Sequence, residues 1–207
     1  MELLIAVPVF TVLFYLFNKL LEPRFTESYC RRLLADPSLY DEELPAKLLY
    51  ASFPKSHIFR SLSLPIPGKE GEEINLGTVA VNRCGVYILC QIHGNGLIEN
   101  PPDIKWKHMN SGRCTEFDNP FRTQQDAREL IEFYAKNAGL GYVKAHSIII
   151  YTDPSLRFTQ PSSRSIINAA DLNRRMQNID RLGHLTSAQV HDVCRILSDI
   201  NSGAGVF

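Results

Sequence analysis

The side chains best suited to chemistry gather around one apolar run. Glu72, Glu73, Glu99 and Asp103 flank the segment VYILCQI, and His93 follows it directly. Carboxylate oxygens are what a hard divalent cation requires, and such a cation can activate water against a phosphodiester. Ligands gathered in this way would make a metal-dependent hydrolase. Plainer readings compete: Glu72 and Glu73 lie in a glycine-rich turn beside Lys69 and Glu70, the pattern of a solvated charge run. His93 reads as a hydrogen-bonded loop histidine, and His57, His108, His146, His184 and His191 are spread without metal-ligand spacing. Gly94-Asn95-Gly96 lacks the lysine and hydroxyl of a phosphate loop and leads into Pro101-Pro102, so a turn is expected there. The sequence points to no metal and no cofactor.

Stacking is the second chemistry in view. Trp106 lies between Lys105 and Lys107, and an aromatic ring flanked by cations can hold a nucleobase and its phosphate. These are the candidate nucleic-acid or partner contacts, set against a packed edge-strand tryptophan with solvated lysines. Arg113, Arg122, Arg128, Arg164, Arg174 and Arg175 would add a basic patch only if the fold clusters them. Twenty-two Lys and Arg balance 22 Asp and Glu, so nucleic acid is at most a weak partner.

The chain that must position these groups has 207 residues, 44% hydrophobic and 21% charged, enough for one core and an appendage. HIFRSLSLPI alternates as a first strand ending at Pro65. INLGTVAV, the turn NRCG and VYILCQI then read as a hairpin whose second strand is buried on both faces. In FDNPFRTQQDARELIEFYAKNAG, Asp118 or Asn119 caps a helix with Pro120 in its first turn and a stripe of Ala127, Leu130, Ile131 and Tyr134. SIIIYT follows, so helix and strand form a crossover. Thr186 or Ser187 caps a last helix with Val190, Val193, Cys194 and Leu197 on one face. Between the hairpin and the crossover the expectation is a Gly-Pro-Asn loop with one short strand at Trp106. The fold class is α/β, a mixed central sheet flanked by helices.

Ahead of this core, Leu3 to Phe17 reads LLIAVPVFTVLFYLF without a charge, and Leu20 and Leu21 lie just beyond. About 17 to 25 apolar residues cross a bilayer. No basic region precedes the run and no small-residue cleavage site follows it, which favours a retained anchor over residues 1–21. Lys19, Arg24, Arg31 and Arg32 all lie on its C-terminal side, so the following domain is expected in the cytoplasm. Residues 22–39 are expected as a juxtamembrane stalk and 201–207 as a flexible tail. Five scattered cysteines without a CxxC pair agree with a reducing compartment.

The string GVYILCQIHGNGLIENPPDIKWKHMNSGRCTEFDNPFRTQ resembles the nuclease-related domain (NERD) family, matching at Gly85, Val86, Tyr87, Gly96, Trp106, Asn119 and Pro120. The likeness extends over about residues 40–200, and the order of its motifs carries it. The family's glutamine falls on Thr123, or on Gln124 if one residue is inserted. The resemblance implies a restriction-endonuclease-like fold of the PD-(D/E)xK kind. There an Asp on one strand and a Glu two residues before a Lys on the next hold a divalent metal. Residues i and i+2 of a strand share a face, so carboxylate and amine meet one phosphate. Laid on that pattern, the Asp position is Gly77, the Glu position Cys90 and the Lys position Ile92. None supplies the required chemistry, and Val86, Ile88, Cys90 and Ile92 make an apolar face in its place.

The resulting expectation is a single-pass inner-membrane protein of a bacterium. Its cytoplasmic NERD-like domain is a pseudoenzyme serving as a scaffold or docking component for other membrane-complex proteins, in a machine for transport or DNA transfer. Two alternatives remain open: a metal-dependent nuclease with migrated ligands, and a nucleic-acid-binding module.

Overall fold

Three strands follow one another without an intervening helix because short turns join them. They are β1 (His57–Pro65), β2 (Glu73–Asn82) and β3 (Gly85–Ile92), antiparallel in sequence order. The computed structural model describes Tyr15 and residues 28–36, 43–52, 56–102, 105–160, 165–172, 174–175 and 185–201. In the β2–β3 turn the Cys84 N–H donates to Asn82 Oδ1 at 2.8 Å. Gly85 has φ 131°, and a Cβ there would lie 2.2 Å from the Lys144 carbonyl oxygen, so only glycine admits that segment so closely.

Asn119, rather than Asp118, caps the helix α2 (Pro120–Asn137), its Oδ1 accepting from the Phe121 N–H at 3.0 Å. This helix carries the chain to β7 (Ala145–Tyr151), which pairs parallel with β3, and β9 (Ile166–Asn168) pairs parallel with β7. The sheet order is β1-β2-β3-β7-β9. On one face Val79, Val81, Val86 and Ile88 pack against Ala127, Leu130 and Ile131 of α2 and Val190, Val193 and Leu197 of α3 (Ser187–Ile200). A capping box between Thr186 and Gln189 opens α3. The opposite face sets Ala80, Tyr87, Leu89, Ile148 and Ile150 against Leu44, Leu48 and Leu49 of α1 (Leu44–Ser52). A mixed sheet between helices is therefore the architecture, as the periodicities predict.

One expectation is corrected. Residues 97–118 are not a loop with a single strand but most of a second sheet, built from β4 (Leu97–Glu99), β5 (Lys105–Asn110), β6 (Arg113–Asp118) and β8 (Arg157–Phe158) in the order β6-β5-β4-β8. The β5–β6 hairpin turns on Ser111 at φ 49° and Gly112 at φ 78°, the pair of left-handed residues a two-residue hairpin needs. Ile98 and Trp106 of this sheet pack on Ile92, Ile149 and Ile166 of the first.

The expected anchor lies outside the described residues apart from Tyr15, and among the described residues no helix is long and apolar enough to cross a membrane. Residues 28–35 are helical, with Leu33 buried and Cys30 and Leu34 packed against the α1 face of the sheet. That part of the segment expected as a stalk belongs to the packed domain. Asn201, expected to begin the tail, accepts from the Ser63 N–H at 3.1 Å, and residues 202–207 lie outside the described residues.

Candidate functional site

A split in the first sheet creates the site. β2 pairs with β3 only from Asn82↔Gly85 to Thr78↔Leu89, and its remaining residues continue alongside β1. Gly77 stands where the strands part, at φ 65°, its N–H held by Asn75 Oδ1 at 2.8 Å. Register shifts between Phe59 and Ser63 bulge β1 beside it, bringing Arg60 and Ser61 to the opening. β3 runs on to Ile92 with β7 as its partner. The gap is a half-open cavity of about 650 Å³, bordered also by the first turns of α2 and by His108, Phe117 and Asp118 of the second sheet.

Gly77, Cys90 and Ile92, the positions that the family resemblance singles out, all border this cavity. They do not fit a divalent cation, because Gly77 has no side chain, Ile92 presents carbon and Cys90 offers a soft sulfur. Burial pushes the Cys90 thiol up to about 11, so it stays protonated and poorly nucleophilic at neutral pH. Among the described residues no three His, Cys, Asp or Glu side chains are grouped to hold a metal ion.

The relocated-ligand candidates do not converge. Glu72 pairs with Lys69 at 2.9 Å in the β1–β2 turn, Glu73 opens β2, and Glu99 stands opposite Lys107 between β4 and β5. None of these three carboxylates lines the cavity, and Asp103 lies outside the described residues. His93 does line it, with Nδ1 3.4 Å from Gln91 Nε2, as does His108, whose Nε2 is 2.7 Å from the Asn95 carbonyl oxygen.

Trp106 corrects the stacking expectation. Its ring is 1% exposed, edge-on to Phe117 and Phe121, and its Nε1–H donates to the Pro101 carbonyl at 3.0 Å, so no face is open to a base. Lys105 and Lys107 are exposed but turned along the sheet surface, pairing with Asp118 at 2.7 Å and Glu116 at 3.7 Å. Of the arginines, Arg174 pairs with Asp171 at 2.8 Å, and Arg164 lies outside the described residues.

Gln124 is the site residue that motif reasoning left ambiguous. It is 4% exposed, lines the cavity, and donates both amide hydrogens, to the Ile88 and Ile148 carbonyls, each at 3.3 Å. It rather than Thr123 is the inward glutamine, although Thr123 also reaches the cavity wall. The signal was present, since the stripe Ala127–Ile131 extended back by three residues lands on 124.

No family model matches the chain, and neither a curated protein nor a solved structure does.

Proposed function

We propose that the chain is a membrane-anchored, catalytically silent nuclease-like domain that serves as a scaffold or docking component for other proteins of a membrane complex. The observation carrying this reading is the chemistry of Gly77, Cys90 and Ile92 around one cavity. In the NERD and PD-(D/E)xK pattern, these strand positions would carry an Asp, a Glu and a Lys converging on a phosphate. Here they carry hydrogen, a protonated thiol and an alkyl group, so neither charge neutralisation nor water activation has a side chain to perform it. The apolar segment 3–21 and the basic residues after it support a single-pass anchor in the inner membrane, with the domain in the cytoplasm. A chain kept at a membrane, without its fold's hydrolytic groups, acts through what it binds.

The test uses full-length protein extracted with mild detergent and incubated with single- and double-stranded DNA and RNA in magnesium or manganese. Substrates should remain intact. Cleavage that stops with a chelator and with Glu99→Ala or Asp103→Ala, yet survives Cys90→Ala, would overturn the reading in favour of migrated ligands. In parallel, a reporter fused after Phe207 should be active in the cytoplasm, and periplasmic activity would reverse the orientation.

A further inference from the structure

The two sheets end in four outer strands, and three of these edges are blunted. β8 and β9 are only two and three residues long. β1 is bulged between Phe59 and Ser63, and its Ser63 N–H is taken by Asn201 Oδ1. β6 is different. It runs from Arg113 to Asp118 without proline, pairs with β5 residue for residue without a register shift, and among the described residues has no strand on its outer side. Its carboxylates do not guard it, because Glu116 and Asp118 reach back across the sheet to Lys107 at 3.7 Å and Lys105 at 2.7 Å. A long, regular, exposed edge of this kind is a template for another strand.

The ladder fixes which backbone groups the edge presents. A two-residue hairpin is closed by a pair that exchanges both backbone hydrogen bonds, here Asn110↔Arg113 around Ser111 and Gly112. The period of two then turns the N–H and C=O of Arg113, Thr115 and Phe117 towards β5 and those of Cys114 and Glu116 outwards. A second copy of β6 lying antiparallel must set outward groups against outward groups, so its register moves only in steps that keep even-numbered residues opposite one another. Charge chooses among these registers. One sets Glu116 against Glu116, the next sets Glu116 against Asp118, and a slip the other way keeps only Arg113, Cys114 and Thr115 within both strands. The register between them places Arg113 of one copy opposite Phe117 of the other, Cys114 opposite Glu116, and Thr115 opposite Thr115, with no like charges facing and each arginine beside an aromatic ring. We propose that two copies of the chain pair through antiparallel β6 strands with Thr115 on the two-fold axis, joining their second sheets into one. This inference concerns how copies meet and does not depend on the scaffold reading.

Cross-linking reads the register directly. The backbone groups of Thr115 face β5, so across the axis the two Thr115 residues form a non-hydrogen-bonded pair with Cα atoms about 4.5 Å apart, within the reach of a disulfide. Full-length protein in mild detergent carrying Cys114→Ser and Thr115→Cys should therefore become a covalent dimer under mild oxidation. Cys114→Ser alone should remain a single chain on a non-reducing gel. Glu116→Pro removes an N–H that points away from β5 and leaves the β5 ladder whole, so adding it to the double variant should lower the cross-linked fraction about tenfold. Circular dichroism confirms that each variant is folded. The unmodified protein at about 0.1 mM should sediment with the mass of two chains. A single-chain mass would overturn the proposal, and would do so even if an added peptide of another sequence bound the edge. A folded Thr115→Cys variant that fails to cross-link would overturn it too, as would cross-linking undiminished in folded Glu116→Pro.

Discussion

The two sheets solve the same problem in different ways. The first is covered on both faces, so β3 is apolar at nearly every position and Val86, Tyr87, Ile88 and Leu89 are all buried. The second is covered on one face only, and its edge strand β6 is exposed except at the half-buried Phe117. Cross-strand ion pairs from Lys105 and Lys107 to β6 line its open face. A doubly covered sheet tolerates an opening only where a neighbour can shield it, and the cavity forms where the second sheet and α2 border the split between β2 and β3. The comparison also explains why the buried tryptophan belongs to the smaller sheet: Trp106 is the bolt that joins the two.

Breaking that joint should have the largest effect. Trp106→Ala removes a fully buried ring and leaves the Pro101 carbonyl without its donor, so chemical denaturation should register a loss of about 3 to 5 kcal/mol. Leu130→Ala, on the face of α2 against the first sheet, should cost about 2 to 5 kcal/mol, whereas the exposed Glu129→Ala should stay within about 0.5 kcal/mol. Equal effects at 129 and 130 would undo the assignment of the helix face.

A subtler contrast comes from pH. Burial raises the Cys90 thiol from an ordinary 9.0 to about 11 and the Cys194 thiol to about 12. Between these limits the unfolded chain releases a proton that the native state retains, so the thiols' contribution to stability is complete below pH 9 and declines as pH rises towards 11 and 12. Cys90→Ala should flatten the decline between pH 9 and 11 in denaturation midpoints measured across that range. An unchanged slope would show that Cys90 does not ionise differently in the two states.

Smaller effects test the covering elements. Asn119→Ala removes the cap of α2 and should cost about 1 kcal/mol, measured by the thermal midpoint. At the bottom of the series, Thr115→Ala on the exposed β6 should change stability by less than about 0.5 kcal/mol. A large loss there would mean that the second sheet is covered on both faces.

How far the fold was legible follows from the range of the forces involved. β1, β2, β3 and β7 of the first sheet and both long helices announce themselves by local pattern, because alternation, caps and i, i+3, i+4 stripes act within a few residues, whereas the three-residue β9 gave no such sign. The second sheet escaped because its strands are short, one of them is polar nearly throughout, and β8 comes from a distant part of the chain. Its hairpin had a readable sign in Ser111-Gly112 between two strands of similar length. Trp106 illustrates the limit most clearly: a tryptophan between lysines has the same local sequence whether it is bare or buried, and only the arrival of Phe117, Phe121 and Pro101 decides.

The sequence by itself determined which side chains stand at positions 77, 90 and 92, and hence what chemistry those positions lack, because residue identity survives any fold. It determined equally the succession of β1, β2, β3, α2 and β7, since hairpin turns, caps and periodic apolar faces are properties of neighbouring residues. Only the tertiary structure decided that these positions share a cavity, because the parting of β2 from β3 depends on a register shift against β1. It alone decided what becomes of Gln124, whose partners Ile88 and Ile148 lie 36 and 24 residues away on two adjacent strands. Hydrogen bonds across such separations are set by how the chain packs, and packing buries the Gln124 amide between two strands.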